Sequence, residues 1–183
     1  MSRIGRKSIL IPASTQVEIS NDNFITVKGA KGELKRQFDN KFINFEKKDN
    51  EIVVTRINDS VEAKSLHGLS RTLLSNMVEG ATNGYTKNLI ISGVGYKATK
   101  TGNKLVLNIG FSHPVEVEDV EGATTKIISA TEVEVSGCDK ETVGQFAAKI
   151  RDIKRCEPYH GYGIRYKDEV IRRKEGSKTA GKK

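Results

Sequence analysis

Histidine, cysteine and carboxylate side chains could carry reaction chemistry in this chain, but their spacing assembles none of the usual centres. His67, His113 and His160 stand far apart, and Cys138 and Cys156 make no C-x-x-C pair. A zinc knuckle or a disulfide framework is therefore not expected, and two isolated thiols fit a reducing compartment. Ser112 and His113 are adjacent, a spacing that does not set an imidazole against a hydroxyl as a nucleophilic pair requires. Glu116 and Glu118 share a strand face, and a solvated edge is expected there rather than general acid–base work. Gly93-Val94-Gly95-Tyr96-Lys97-Ala98 matches the glycine pattern of dinucleotide-binding proteins. That pattern needs a helix N-terminus to hold the pyrophosphate. Here Thr99-Lys100-Thr101-Gly102-Asn103 continues as strand and turn, so no cofactor is expected. No catalytic residue and no metal ligand are assigned.

Binding chemistry is better represented near the C-terminus. Glu157-Pro158-Tyr159-His160-Gly161-Tyr162-Gly163-Ile164-Arg165-Tyr166-Lys167 holds three of the chain's five tyrosines among glycines and cations. Tyr159, Tyr162 and Tyr166 offer stacking faces for unpaired bases, worth ~1–3 kcal/mol each when engaged. Gly161 and Gly163 let the backbone approach a phosphate. Lys154, Arg155, Arg165 and Lys167 supply charge within the loop, joined by His160. Arg172, Arg173, Lys174 and Lys178 supply more in a Lys/Gly/Ser-rich tail. Arg can in addition fork onto a base edge. These residues form the expected RNA-binding set; the alternative reading is that Tyr159 and Ile164 pin the loop to the second domain while the charges stay in water. With Arg165, Tyr159 and Tyr166 as the positioned readers, deletion of residues 154–183 is expected to leave a folded chain without RNA affinity.

The elements that would carry this loop read as two rounds of one plan. Strands are expected at 16–20, 24–28, 33–38, 42–46 and 51–55, with a glycine turn at 29–32. A helix follows. Its stripe is read as Leu66, Leu69, Leu73 and Met77, with Asp59 and Glu62 as a capping box and Gly80 after its end. The second round runs through Leu89–Ile91, Tyr96–Lys100, Leu105–Ile109, Val115–Glu118, Lys126–Ser129 and Glu132–Ser136. Asp139 then caps a helix with Val143, Phe146, Ala147, Ile150 and Ile153 as its stripe. Val27-Lys28-Gly29 is matched to Ile91-Ser92-Gly93, and Leu74/Met77 to Ile150/Ile153. The fold class is α+β: two tandem similar domains, each a small antiparallel sheet packed by one helix. Residues 1–82 and 83–155 are the two domains, and 156–183 the basic loop and tail.

The chain has 183 residues and a formal net charge of +8, with no apolar run long enough to span a membrane. The segment Met1–Lys7 is basic without an apolar stretch, so no secretory signal is expected. From Lys149 onward twelve Lys/Arg face five Asp/Glu, a net +7 that accounts for almost the whole positive balance. Between Lys104 and Val135 the sign reverses, and Glu116, Glu118, Asp119 and Glu121 are expected to face solvent or protein. A polyanion is drawn to one end of such a chain and repelled from another part. An RNA-processing enzyme with a basic docking arm, or a protein adaptor using the acidic strands, would share this polarity.

The motifs together resemble the bacterial-type large-subunit ribosomal protein six family. They are Met1-Ser2-Arg3-Ile4-Gly5-Arg6-Lys7, Val27-Lys28-Gly29-Ala30-Lys31-Gly32-Glu33-Leu34, Gly68-Leu69-Ser70-Arg71 and Asn76-Met77-Val78. Gly93–Ala98, Gly110-Phe111-Ser112-His113-Pro114 and the tyrosine loop complete them. His160 and Tyr162 stand where the family usually has lysine, and Ser8 and Ala30 where it often has proline. Losing two lysines shifts the expected phosphate role toward Arg165, Lys167 and the tail. The resemblance implies a cytoplasmic, non-enzymatic constituent of the large subunit, bound to large-subunit rRNA near the elongation-factor site and the sarcin–ricin loop. Neighbouring ribosomal proteins would be its partners and translation factors would pass nearby. No cofactor, membrane or small-molecule substrate is implied.

Overall fold

The computed structural model describes residues 3–20 and 22–176 of the chain. Two compact units divide it. One runs to Tyr85 and takes back the short segment Gly137–Lys140; the other comprises Thr86–Ser136 and the chain from Glu141.

The first unit contains β1 (Ile9–Leu10), β2 (Gln16–Ile19), β3 (Phe24–Gly29), β4 (Gly32–Gln37), β5 (Ile43–Lys48), β6 (Glu51–Arg56) and α1 (Val61–Thr82). Two three-stranded antiparallel sheets result, in the orders β2-β3-β4 and β1-β6-β5. Alternation along the strands turns Ile25, Val27, Ile43, Phe45, Ile52 and Val54 inward, against Leu74, Met77, Val78 and Ala81 of α1.

The helix differs from its sequence reading in three respects. Its buried stripe is Ala63, His67, Ser70, Leu74, Met77, Val78 and Ala81, while Leu69 is 53% exposed. Small residues decide this, because they let α1 approach the sheet closely: a Cβ on Gly29 would lie 2.3 Å from the Ala81 carbonyl oxygen. The N-cap is Ser60, whose Oγ accepts the Ala63 N–H at 3.1 Å. Asp59 instead pairs with Arg56, Oδ1 to Nε at 2.6 Å. Gly80 lies inside the helix, where a Cβ would stand 2.0 Å from the Cys138 carbonyl oxygen. The helix ends at Thr82, with the Asn83 N–H donating to the Glu79 carbonyl. His67 is a core histidine whose Nε2 lies 2.9 Å from the Val54 carbonyl oxygen.

The second unit contains β7 (Tyr85–Ser92), β8 (Lys97–Thr101), β9 (Lys104–Asn108), β10 (Val115–Glu118), β11 (Ala123–Ser129), β12 (Glu132–Gly137), α2 (Lys140–Ile153) and β13 (Gly163–Tyr166). Its sheets run β10-β9-β8 and β11-β12-β7-β13. Val143, Phe146, Ala147 and Ile150 of α2 are buried, as the periodicity predicts. Sheet by sheet, β1-β6-β5 repeats as β7-β12-β11 and β2-β3-β4 as β8-β9-β10. The duplication is therefore one of topology, element for element. It corrects the motif match: Val27-Lys28-Gly29 belongs to β3, whose counterpart is β9, and Ile91-Ser92 ends β7, just before Gly93, and the counterpart of β7 is β1. An apolar strand ending in glycine is too common a pattern to align repeats, and β1 has only two residues to show.

The strand β13 has no counterpart in the first unit. It falls in the segment read as loop, and pairs antiparallel with β7 in the register Gly163↔Ser92 to Tyr166↔Leu89. Ile164 is fully buried. Deleting residues 154–183 would thus strip a strand and a core side chain from the sheet, so the expectation of a folded truncation is withdrawn.

Candidate nucleic-acid interface

The expected RNA-binding residues separate, once placed, into cations engaged within the second unit and cations that are not. Lys154 leaves the end of α2 and turns inward. Its Nζ donates to the Tyr96 hydroxyl at 2.7 Å and to the Ile109 carbonyl at 2.6 Å. The same ammonium lies 4.8 Å from the Tyr96 ring centroid and 5.0 Å from that of Phe111. Caged by two rings and two oxygens, it ties the loop after β7 and the turn after β9 to α2. Gly93 and Gly110 make this possible, since a Cβ on them would stand 2.3 and 3.0 Å from the Tyr96 ring. The glycine motif that resembles a nucleotide fingerprint thus makes room for an aromatic ring, between two strands.

Arg155 pairs with Asp152, Nε to Oδ1 at 2.8 Å. Arg151 forks onto Glu169, with Nε at 2.9 Å from Oε2 and Nη2 on Oε1. That guanidinium holds the Glu169 carboxyl below the usual carboxylate range against the opposing effect of burial. Arg165 donates through Nη1 to the Glu169 carbonyl at 3.2 Å, and Lys167 pairs with Glu132 at 3.0 Å. Tyr166 is half-buried, with the cationic groups of Arg151 and Lys87 5.4 and 5.9 Å from its ring centroid.

The remaining members point outward. Tyr159 is 51% exposed. His160 and Tyr162 stack with centroids 5.3 Å apart and planes 17° apart, and His160 Nδ1 lies 3.2 Å from the Glu157 carboxylate. Gly161 takes φ +77°, a left-handed turn that swings the chain back toward the sheet. Gly163 is required on steric grounds too, because a Cβ there would lie 2.6 Å from the Arg155 carbonyl oxygen. Beyond β13 the Lys174 N–H bonds the Pro158 carbonyl at 2.9 Å, folding the start of the tail against the loop. Arg172, Arg173 and Lys174 are exposed and have no ion-pair partner among the described residues. Lys178 lies outside the described residues. An exposed ring, a stacked pair and three unpaired cations therefore share one short stretch of chain.

Sequence reasoning missed Tyr96 and Phe111 as supports of this region. Each stands beside glycine in a turn, at Gly95-Tyr96 and Gly110-Phe111, and that coincidence is the signal available. The acidic reading also needs a correction at Asp119, whose side chain is 3% exposed. It pairs with Lys100 at 2.7 Å and accepts the Thr125 N–H and hydroxyl at 3.2 and 2.6 Å. Burial disfavours its charge, but Lys100 and Thr125 together outweigh that and hold the carboxyl below its ordinary range. No cluster of metal-ligating side chains occurs among the described residues, and no helix described is long and apolar enough to cross a membrane.

Among the described residues, a duplicated α+β unit thus carries exposed rings and exposed cations side by side, after its second helix. The chain belongs to the ribosomal protein L6 family, whose model matches it twice, over residues 11–84 and 92–167. One match falls on each round of the topology, and the second takes in β13. The chain is 54% identical over 176 residues to the large ribosomal subunit protein uL6 of Clostridioides difficile, covering 96% of this chain and 97% of that one. It is 53% identical over 182 residues to the uL6 of Ruminiclostridium cellulolyticum, covering 100% and 98%. The family is one of ribosomal proteins, not of enzymes.

Proposed function

We propose that this protein is a structural constituent of the large ribosomal subunit in the bacterial cytoplasm, held there by binding large-subunit rRNA through its C-terminal loop and tail. The observation that carries the reading is the concentration of unengaged cations, Arg172, Arg173 and Lys174, next to Tyr159 and the His160–Tyr162 stack. Such cations neutralise phosphates, and the rings accept unpaired bases. Lys154, Arg155, Arg165 and Lys167 serve this role indirectly, by fixing the loop that presents those groups. The family likeness supports a finer placement, near the elongation-factor site and the sarcin–ricin loop, with other large-subunit proteins as neighbours and translation factors close by.

The test is sedimentation of the tagged full chain through a ribosome gradient, with chemical footprinting of the rRNA it covers. Stoichiometric co-migration with large subunits and protections around the sarcin–ricin loop are expected. Migration away from the subunit overturns the reading, and protections confined elsewhere overturn the finer placement. RNA turnover abolished by one change of a titratable side chain would favour the enzyme reading instead.

A further inference from the structure

In the second unit the edge of the β7 sheet is occupied by β13, and in the first unit the corresponding edge is not. Topology makes β1 the counterpart of β7: each borders the central strand, β6 or β12, that follows a hairpin from β5 or β11. Along β7 the Ile91 N–H donates to Thr131, on the β12 side, while the Asn88 carbonyl accepts the Lys167 N–H at 3.0 Å on the other side. Even-numbered residues of β7 therefore face β13. Along β1 the Ile11 N–H donates to Asn50 at 2.8 Å, and the register Ile9↔Ile52 and Leu10↔Glu51 places β6 on that side. Hydrogen-bonded pairs alternate in an antiparallel ladder, so the N–H and C=O of Leu10 point away from β6. Neither has a partner among the described residues, and the Leu10 side chain is 68% exposed.

The space beside this edge is also preserved. β13 fits between β7 and the end of α2, where Ile164 is fully buried and its N–H donates to the Lys154 carbonyl at 2.7 Å. In the first unit, a cleft of about 400 Å³ lies between β1 and the second half of α1, lined by Leu10, Arg71, Ser75, Val78, Glu79 and Asn83 among others. Arg71 donates to the Lys7 and Ser8 carbonyls at 3.0 and 3.2 Å, which closes one end of the edge and leaves Leu10 open.

We propose that this cleft is a docking slot for an extended polypeptide segment of another large-subunit protein, added as an antiparallel strand at Leu10 as β13 is added to β7. An added strand gains affinity from backbone hydrogen bonds and specificity from alternate side chains. The expected segment is short and places one branched aliphatic residue inward, toward Ile9 and Val78, as β13 places Ile164 beside Ile91. A nucleic-acid occupant fits poorly. The groups left unpaired are a peptide N–H and C=O, a donor and an acceptor that match a second backbone; the Arg71 guanidinium is engaged on carbonyls, and the Lys7 that also lines the cleft is matched in charge by Glu79.

The inference rests on the subunit reading above, and the experiment separates the two. Residue-resolved hydrogen exchange is measured on the full chain alone and in purified large subunits, with Leu10 also replaced by its diazirine analogue for photo-crosslinking. Protection of the Leu10 amide at least ~100-fold greater in the subunit is expected, with a crosslink from position 10 to one other polypeptide. Failure to co-sediment counts against the subunit reading. Co-sedimentation with equally fast Leu10 exchange in both states overturns the slot. A crosslink to rRNA, or concentration-dependent protection in the isolated chain that marks a second copy as occupant, overturns it too.

Discussion

Replacing Arg172, Arg173 and Lys174 together with alanine separates the cations that meet RNA from those that hold the protein together. All three are exposed and lack an ion-pair partner among the described residues. Each phosphate they neutralise releases condensed counterions, contributing ~0.7 to the log–log salt slope for single strands and ~0.9 for a duplex. If every one contacts a phosphate, the triple variant should lower the slope by ~2–3 and leave the melting temperature unchanged. Arg151 is the control, because its charge is already matched by Glu169 on a bidentate fork. Arg151→Ala should lower stability while shifting the slope by less than ~0.5. The assay is filter binding from about 50 to 300 mM salt, on a large-subunit rRNA fragment and on an unrelated duplex. A triple variant with the wild-type slope, or an Arg151 variant that loses two units of slope while staying folded, would refute the division of labour between these cations.

Lys154→Met keeps the apolar stem and removes the caged ammonium. Two charge-assisted hydrogen bonds and two ring contacts vanish, so a loss of about 2–4 kcal/mol is expected by urea titration, with an unchanged salt slope in RNA binding. Asp119→Asn breaks a largely buried pair and should destabilise by about 2–4 kcal/mol at pH 7. The folded-state carboxyl titrates below its unfolded value of about 4, so its contribution is full above that pH and is lost as pH falls below it. The gap between wild type and Asp119→Asn in urea titrations should therefore narrow from pH 7 to pH 3, and a constant gap would count against the ion pair. A chain ending at Ile171 should keep the circular dichroism of the full protein, whereas one ending at Ile153 should lose its cooperative transition. Ile164→Ala, in the strand the shorter chain lacks, should by itself destabilise by about 2–5 kcal/mol.

Local chemistry makes much of this protein legible in its sequence. Alternating apolar residues and glycine turns mark the strands because a strand buries one face with period two, and eleven of the thirteen strands among the described residues lie at or near the segments so marked. The helix stripe of α2 is legible because large aliphatic side chains fall on one face. The stripe of α1 is not, because Ala63, Ser70, Gly80 and Ala81 are buried for their smallness, and only the sheet beneath them makes small size an advantage. The concentration of cations after Lys149 is a property of the sequence alone. Which of them remain available is not, since the ammonium of Lys154 and the guanidinium of Arg165 are claimed by oxygens that chain folding brings to them from Tyr96, Ile109 and Glu169. The strand β13 is hidden for a similar reason. Gly-Ile-Arg-Tyr has no period of its own to show, and becomes a strand only because β7, some seventy residues earlier, presents an edge with unpaired backbone groups. Composition and period are local and survive in the sequence; pairing across long separations, and the desolvation that decides which charge is engaged, exist only once the chain has closed on itself.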